Sequence, residues 1–190
     1  MKKILLIFVV GILILSGLGA SAINETHQKY DQYDMVIIAP NQFYNSVQKL
    51  IDHKNSHDVQ TVFKSTQSIY KEYNGRDDAE SIKFFIKESI EKWGVTYVLL
   101  MGGRSNIYPK WHIPIRYVQL DDDTGRYTTF FSDHYYSDIY KNGVEFEDWD
   151  SNGNGVFAEW GIDQMDLHPD VCVGRLPCRN FLEAKTVVQK

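Results

Sequence analysis

Two cysteines, Cys172 and Cys178, are all that the 190 residues contain, and this argues against a disulfide-stapled scaffold. They flank "VGRLP", and a strand through those five residues would hold them beyond bridging distance unless the chain turned at Pro177. Two free thiols are expected, with Cys172 in a strand core. Nor is there any run of Lys or Arg. With 20 basic against 25 acidic residues and a net charge of −5, the chain has no electropositive stripe to suit nucleic acid. Internal repeats and low-complexity tracts are absent as well. What remains is ordinary globular composition, 43% hydrophobic and 24% charged, in a length that suits one domain with a real core.

Only one long apolar run occurs. Lys2 and Lys3 precede an almost unbroken apolar stretch over residues 4–18, and Ala20, Ser21 and Ala22 offer a small-residue cleavage site. This is the pattern of a secretory signal over residues 1–22. An uncleaved membrane anchor is the competing reading, since residues 4–22 approach a spanning length. Cleavage is favoured because the run breaks into Gly17, Gly19 and Ala20 before the small-residue site. It would leave 18 basic against 25 acidic residues, a net of −7. The expected mature chain has no membrane span and is secreted, with anchoring at the cell surface left open.

Beyond a polar lead-in, "DMVIIAP" (34–40) is a β-branched run ended by proline, as expected of a strand buried on both faces. Val47, Leu50 and Ile51 follow at helical spacing, so residues 43–54 are expected to be helical, and "VQTVFK" (59–64) is a second strand. Asp77 and Asp78 stand where a helix cap belongs, ahead of Ile82, Phe85, Ile86, Ile90 and Trp93. "VTYVLLMGG" (95–103) is a third buried strand. Alternating strands and helices predict an α/β fold, a mainly parallel sheet with helices on both faces. Ligands in such folds bind at the carboxyl ends of the strands.

From 104 to 169 helical periodicity vanishes and aromatic and polar residues crowd together. A stretch this long exceeds ordinary loops and is expected to be a functional insertion. Tyr135, Tyr136 and Tyr140 are expected to pack against the sheet edge, and residues 121–123 to form a solvated turn. "DVCVGRLP" (170–177) restores a strand, in which Arg175 is expected to pair with a nearby acid such as Asp170. Residues 181–190 start a helix with no stop signal, as in a chain cut inside a helix.

Within the insertion, "DWDSNGNGVFAEW" matches the calcium-loop template D-x-[DN]-x-[DN]-G-x5-E. Asp148 takes position one, Asp150 three, Asn152 five, Gly153 six, Asn154 seven and Glu159 twelve. Alternate oxygens of a tightly curled loop point inward, the glycine makes the sharp turn, and the distant glutamate closes the shell. Such a donor set suits Ca2+, a hard ion, better than a transition metal. The flanks are not amphipathic helices and position eight is Gly155, so this would be a calcium loop outside a paired EF-hand. An Asn-Gly hairpin turn is the competing reading.

Taken in order, "YVLLMGG", "IPIRYV", "FFSDHYYSDIY", "DWDSNGNGVFAEW" and "PDVCVGRLPCRN" resemble the gingipain-type cysteine peptidases of the caspase–gingipain clan. The resemblance runs over residues 33–190. It implies a caspase- or gingipain-like α/β fold, here truncated at its carboxyl end, acting on protein or peptide substrates. It also implies catalysis by a cysteine and a histidine, each just after a sheet strand, the histidine in a G-H-G type motif. Neither motif occurs here, so the family order places the dyad beyond Lys190, and the chain is expected to lack its own catalytic pair. A local pair of Cys178 with His134 or His168 is the lesser alternative. A non-catalytic, calcium-stabilised extracellular binding or adhesion module is the competing function class.

Overall fold

The computed structural model describes residues 31–107, 109–121 and 127–189. The segment read as a secretory signal and the turn at 122–123 lie outside them. Four parallel strands form the central sheet: β1 (Met35–Ala39), β2 (Thr61–Ser65), β3 (Tyr97–Met101) and β8 (Cys172–Leu176), in the order β2-β1-β3-β8. The register places Ile37 between Phe63 and Leu99, and Leu99 beside Gly174. Side chains alternate across a strand, so Val36 and Ile38 enter one core while Ile37 and Ala39 enter the other. Both faces of β1 are therefore buried, and its sequence is continuously apolar.

Helices cover both faces. On one lie α1 (Tyr44–Asn55), entered through a 3-10 turn at Asn41–Phe43, and α4 (Phe181–Val188). Val47 and Ile51 of the first and Ala184 of the second pack on Ile37, Ala39 and Met101. Asn180 caps α4, its Oδ1 accepting from the backbone of Leu182 and Glu183 at 3.0 Å each. On the other face lie α2 (Thr66–Glu72) and α3 (Asp78–Trp93). Asp77 caps α3 by accepting from Glu80 N at 2.9 Å, and Gly94 ends it in the left-handed conformation at φ 75°. Ile82, Phe85 and Ile86 of α3 are buried, each contributing about 1.5–3 kcal/mol by leaving water. α2 was not expected. Its seven residues are too few to show a period, and its cap is Ser65, which accepts from Ser68 N at 3.1 Å.

The long insertion between β3 and β8 holds no α-helix among the described residues. It contains a hairpin, β4 (Arg116–Asp121) with β5 (Tyr127–Ser132), a 3-10 turn at Asp133–Tyr136, and a short pair, β6 (Tyr140–Lys141) with β7 (Glu145–Phe146). It is no surface flap. Ile113, Tyr135, Tyr136, Ile139, Trp149 and Ala158 join the α3 side of the core. Tyr135 and Tyr136 are fully buried there, in a turn that packs on the edge strand β8, and Tyr136 Oη donates to Pro114 O at 2.8 Å. Among the described residues no helix is long and apolar enough to cross a membrane.

Candidate functional site

The carboxyl ends of the strands converge as the alternating pattern requires. The segments after β1 and β2 and the stretch at 110–112 enclose a cleft of 420 Å³ that includes Asn41, Gln67, Tyr70, Lys110, Trp111 and His112. Behind it, Gly103 lies so close to the end of β8 that a Cβ there would sit 2.5 Å from Pro177 O. The closeness is held by two backbone bonds, Gly102 N to Leu176 O at 3.0 Å and Gly103 N to Cys178 O at 2.8 Å. The glycine pair thus seats the edge strand.

Arg175 fixes this corner. Its Nε and Nη2 donate to the two carboxylate oxygens of Asp133 at 2.6 and 2.7 Å. Nη1 donates to Gly102 O at 2.9 Å and Ile113 O at 3.1 Å, and Nη2 also reaches Pro114 O at 3.2 Å. One planar fork therefore ties β8, the end of β3, the approach to β4 and the turn after β5 together. The expected partner, Asp170, is occupied instead by the backbone N–H groups of Ile139 and Tyr140 at 2.7 and 2.8 Å. Its side chain serves the insertion, and Asp133 reaches Arg175 from 42 residues away.

The cysteines are both free, and Cys172 lines a cavity together with His134. Cys172 is exposed, against the expectation of a core position, because β8 is the outermost strand on its side of the sheet. Cys178 is buried against Phe43, Met101 and Ala184, and burial, reinforced by Glu183, pushes its thiol above the usual range. His134 bonds Ser137 Oγ at 2.9 Å and Leu167 O at 3.0 Å, and His112 bonds Arg179 O at 3.0 Å. Among the described residues no histidine hydrogen-bonds a cysteine. A reactive thiolate needs a neighbouring base and an electropositive, accessible setting, and Cys178 has neither the base nor the exposure.

In the 148–159 loop the side chains of the five predicted ligands fall into two groups. Asn152 Nδ2 and Asn154 Nδ2 both donate to Glu159 Oε2, at 3.1 and 2.7 Å, so positions five, seven and twelve meet. Asp148 and Asp150 are instead held by Arg76, which also bonds Glu80 at the start of α3. Asp150 is buried and accepts from the backbone of Asn154 and Gly155 at 3.0 and 3.1 Å. The sequence reading missed Asp163. It is fully buried and accepts from Ser151 N at 2.9 Å and Glu159 N at 2.7 Å, bridging the two halves of the loop. Nothing in the spacing singles it out.

Beneath the loop lies Lys83 of α3, fully buried. Its Nζ donates to Glu147 O at 2.5 Å and stands 4.3 Å from the Tyr135 ring centre, with Phe146 and Trp149 at 5.2 and 5.6 Å. Burial drives its pKa well below the ordinary 10.5, and Asp138 and Glu147 pull the other way. Nearby, Arg116 grips Asp77 with two bonds, at 2.7 and 2.9 Å, and lies 3.7 Å over Phe157. Burial works to raise the Asp77 carboxyl, but Arg116 and the capping N–H groups outweigh it and hold it below its usual range.

Comparison with known proteins agrees with this architecture. The model of peptidase family C25 matches residues 28–190. Among solved structures, dimeric latent PorU from Porphyromonas gingivalis superposes with a TM-score of 0.55 at 16% identity, over 82% of this chain and 15% of that one. The complex of the pro- and mature domains of RgpB from the same organism gives a TM-score of 0.53 at 24% identity, over 82% of this chain and 27% of that one. No curated protein matches. The chain therefore spans well under a third of the length of either structure.

Proposed function

The chain belongs to peptidase family C25, the gingipain family, and from that premise we propose that it is the amino-terminal part of the catalytic domain of an exported cysteine peptidase. The observation that carries the reading is the family match over 28–190, on a sheet whose strand ends gather at one edge. Export rests on the signal pattern of residues 1–22. Protein or peptide substrates follow from the family. Among the described residues no histidine hydrogen-bonds a cysteine, and the chain spans 15% and 27% of its structural neighbours, so the dyad is assigned to sequence beyond residue 190. There a thiolate would attack the scissile carbonyl carbon, and the histidine would give the leaving amine its proton. The residues of this chain supply the platform. Arg175, Asp133 and the Gly102–Gly103 corner fix the edge strand, and the cleft lined by Asn41, Gln67 and Trp111 lies where an extended peptide would run.

A structural Ca2+ in the 148–159 loop goes with this reading. Support comes from the template match and from the meeting of Asn152, Asn154 and Glu159. Arg76 must release Asp148 and Asp150 for all five ligands to share an ion. The second function class, a calcium-stabilised binding module, is favoured by one observation, that among the described residues no histidine hydrogen-bonds a cysteine.

Turnover separates the two classes. The full-length gene product should cleave peptides and lose activity to a thiol alkylator that modifies a cysteine beyond residue 190. Residues 1–190 alone should show none. A full-length product without thiol-sensitive turnover hands the case to the binding module. Turnover by residues 1–190 that disappears in Cys178→Ala would relocate the active site.

A further inference from the structure

Two histidines meet at the carboxyl end of α1. His53 lies in its last turn and His57 in the turn that follows, and both are exposed. Their ring centres are 4.3 Å apart, with the planes tilted by 47°. Residues four apart on a helix share a face, so the H-x3-H spacing itself brings the rings together.

The contacts of His57 fix where its proton sits. Its Nδ1 lies 2.8 Å from the carbonyl oxygen of His53 and 3.1 Å from Ser56 Oγ. A carbonyl only accepts, so Nδ1 carries the hydrogen and donates it. Ser56 Oγ sends its own hydrogen to the same carbonyl at 2.7 Å. In the neutral ring the lone pair is therefore on Nε2, which has no hydrogen-bond partner among the described residues. A backbone carbonyl that takes the Nδ1 hydrogen and leaves Nε2 free is how proteins commonly present histidine to a metal. His53 enters these bonds only through its carbonyl, so among the described residues its ring nitrogens are unengaged.

The surroundings favour a cation. The carbonyl end of the helix is the negative end of its dipole, and the exposed Asp52 and Asp58 flank the pair. Attraction of two charged imidazoliums to that dipole does not explain the pairing, because at this separation they would repel each other.

We propose that His53 and His57 form a surface site for a borderline divalent metal ion of the Cu2+ or Ni2+ type, which clips the end of α1 to the turn leading into β2. Imidazole nitrogen suits such ions, whereas the hard cations prefer oxygen. The ring spacing chooses among them. With metal–nitrogen bonds of ~2.0–2.1 Å, two imidazoles at the right angle of square or octahedral coordination have centres ~4.5 Å apart, against ~5.2 Å at the tetrahedral angle of zinc. The observed 4.3 Å lies close to the first value. Two protein ligands leave the other positions to water, as suits a clip on the surface. α1 runs back from the carboxyl edge of the sheet, so the site lies at the opposite edge from the cleft around Trp111. The inference does not depend on peptidase activity.

The test is a calorimetric titration of the untagged full-length protein with Ni2+, chosen over Cu2+ because it does not oxidise free thiols. His53→Gln and His57→Gln should each weaken binding at this site at least tenfold and by like factors, because a chelate fails when either arm is lost. The double substitution should be little worse than either single one. Asp52→His combined with His53→Asp keeps composition and charge but turns one ring off the shared face, and should lose affinity to the same extent. Ni2+ should raise the melting temperature of the parent and of none of these variants, while the glutamine variants should melt like the parent in EDTA. Unchanged affinity in either glutamine variant or in the exchanged one would overturn the site. So would losses that add in the double substitution, the behaviour of two independent histidines.

Discussion

Replacing Arg175 by alanine removes five donated hydrogen bonds at once and leaves Asp133 and the carbonyls of Gly102 and Ile113 without the guanidinium, while Pro114 O keeps only its bond from Tyr136 Oη. Breaking a fully buried ion pair from one side costs about 3–5 kcal/mol. Here the side chains are 11% and 31% exposed, so water can reach Asp133 and the lower end applies, about 3 kcal/mol. For a domain of this size that lowers the melting temperature by roughly 6–12 °C. Arg175→Lys keeps the charge but not the fork, and should recover less than half of the loss. Arg179→Ala is the control. That side chain is 62% exposed and pairs with Glu183 four residues on, so its loss should leave the unfolding midpoint close to the parent's. Urea unfolding of the three variants measures the differences directly. A midpoint for Arg175→Ala within about 1 kcal/mol of the parent would refute the role given to this corner. A double substitution with Asp133→Ala should cost less than the two single changes summed, since both break one network.

Three further outcomes follow from the same geometry. Gly103→Ala should destabilise by about 1–3 kcal/mol, because the new Cβ meets the Pro177 backbone at 2.5 Å; a neutral melting curve would show that β8 does not approach so closely. A time course of thiol alkylation read by mass should label exposed Cys172 well before buried Cys178, whose raised pKa also lowers its thiolate fraction; the reverse order would contradict the burial. Lys83 has its pKa lowered in the folded state, so its contribution to stability is present above 10.5 and is lost as pH falls towards its folded value. Lys83→Met should therefore flatten the fall in stability between pH 9 and 7, and an unchanged pH profile would mean that Lys83 titrates normally.

How far the sequence reveals this fold depends on whether a residue's environment is set by near or distant neighbours. β1 and β3 are legible because burial on two faces makes a continuous apolar run, and α3 because caps and period agree. The insertion is opaque for the opposite reason. Tyr135 and Tyr136 are adjacent yet both buried, which a 3-10 turn allows and neither a helix nor a strand period predicts. Phe130 and Phe131 of the hairpin are both exposed, so the usual strand alternation is hidden. Cys172 sits in an apolar strand pattern, and only the strand order tells that it stands on an edge. The template loop is local and its spacing can be read, but Arg76, which holds two of its carboxylates, lies more than seventy residues upstream.

The pairing of β3 with β8 carries a kinetic consequence. β1, β2 and β3 are joined by short excursions through one helix or a helix pair, whereas Leu99 finds Gly174 only after a detour of about seventy residues. Closing a flexible loop of that length costs on the order of 4 kcal/mol before any contact rewards it, against about 3 kcal/mol for the segments linking the first three strands. Residues 35–101 should accordingly assemble first, with the edge strand arriving late, once the aromatic insertion has collapsed and shortened the detour. Substitutions at Arg175 or Gly103 would then speed unfolding while leaving the folding rate nearly unchanged, and those at Ile37 or Leu99 would slow folding itself.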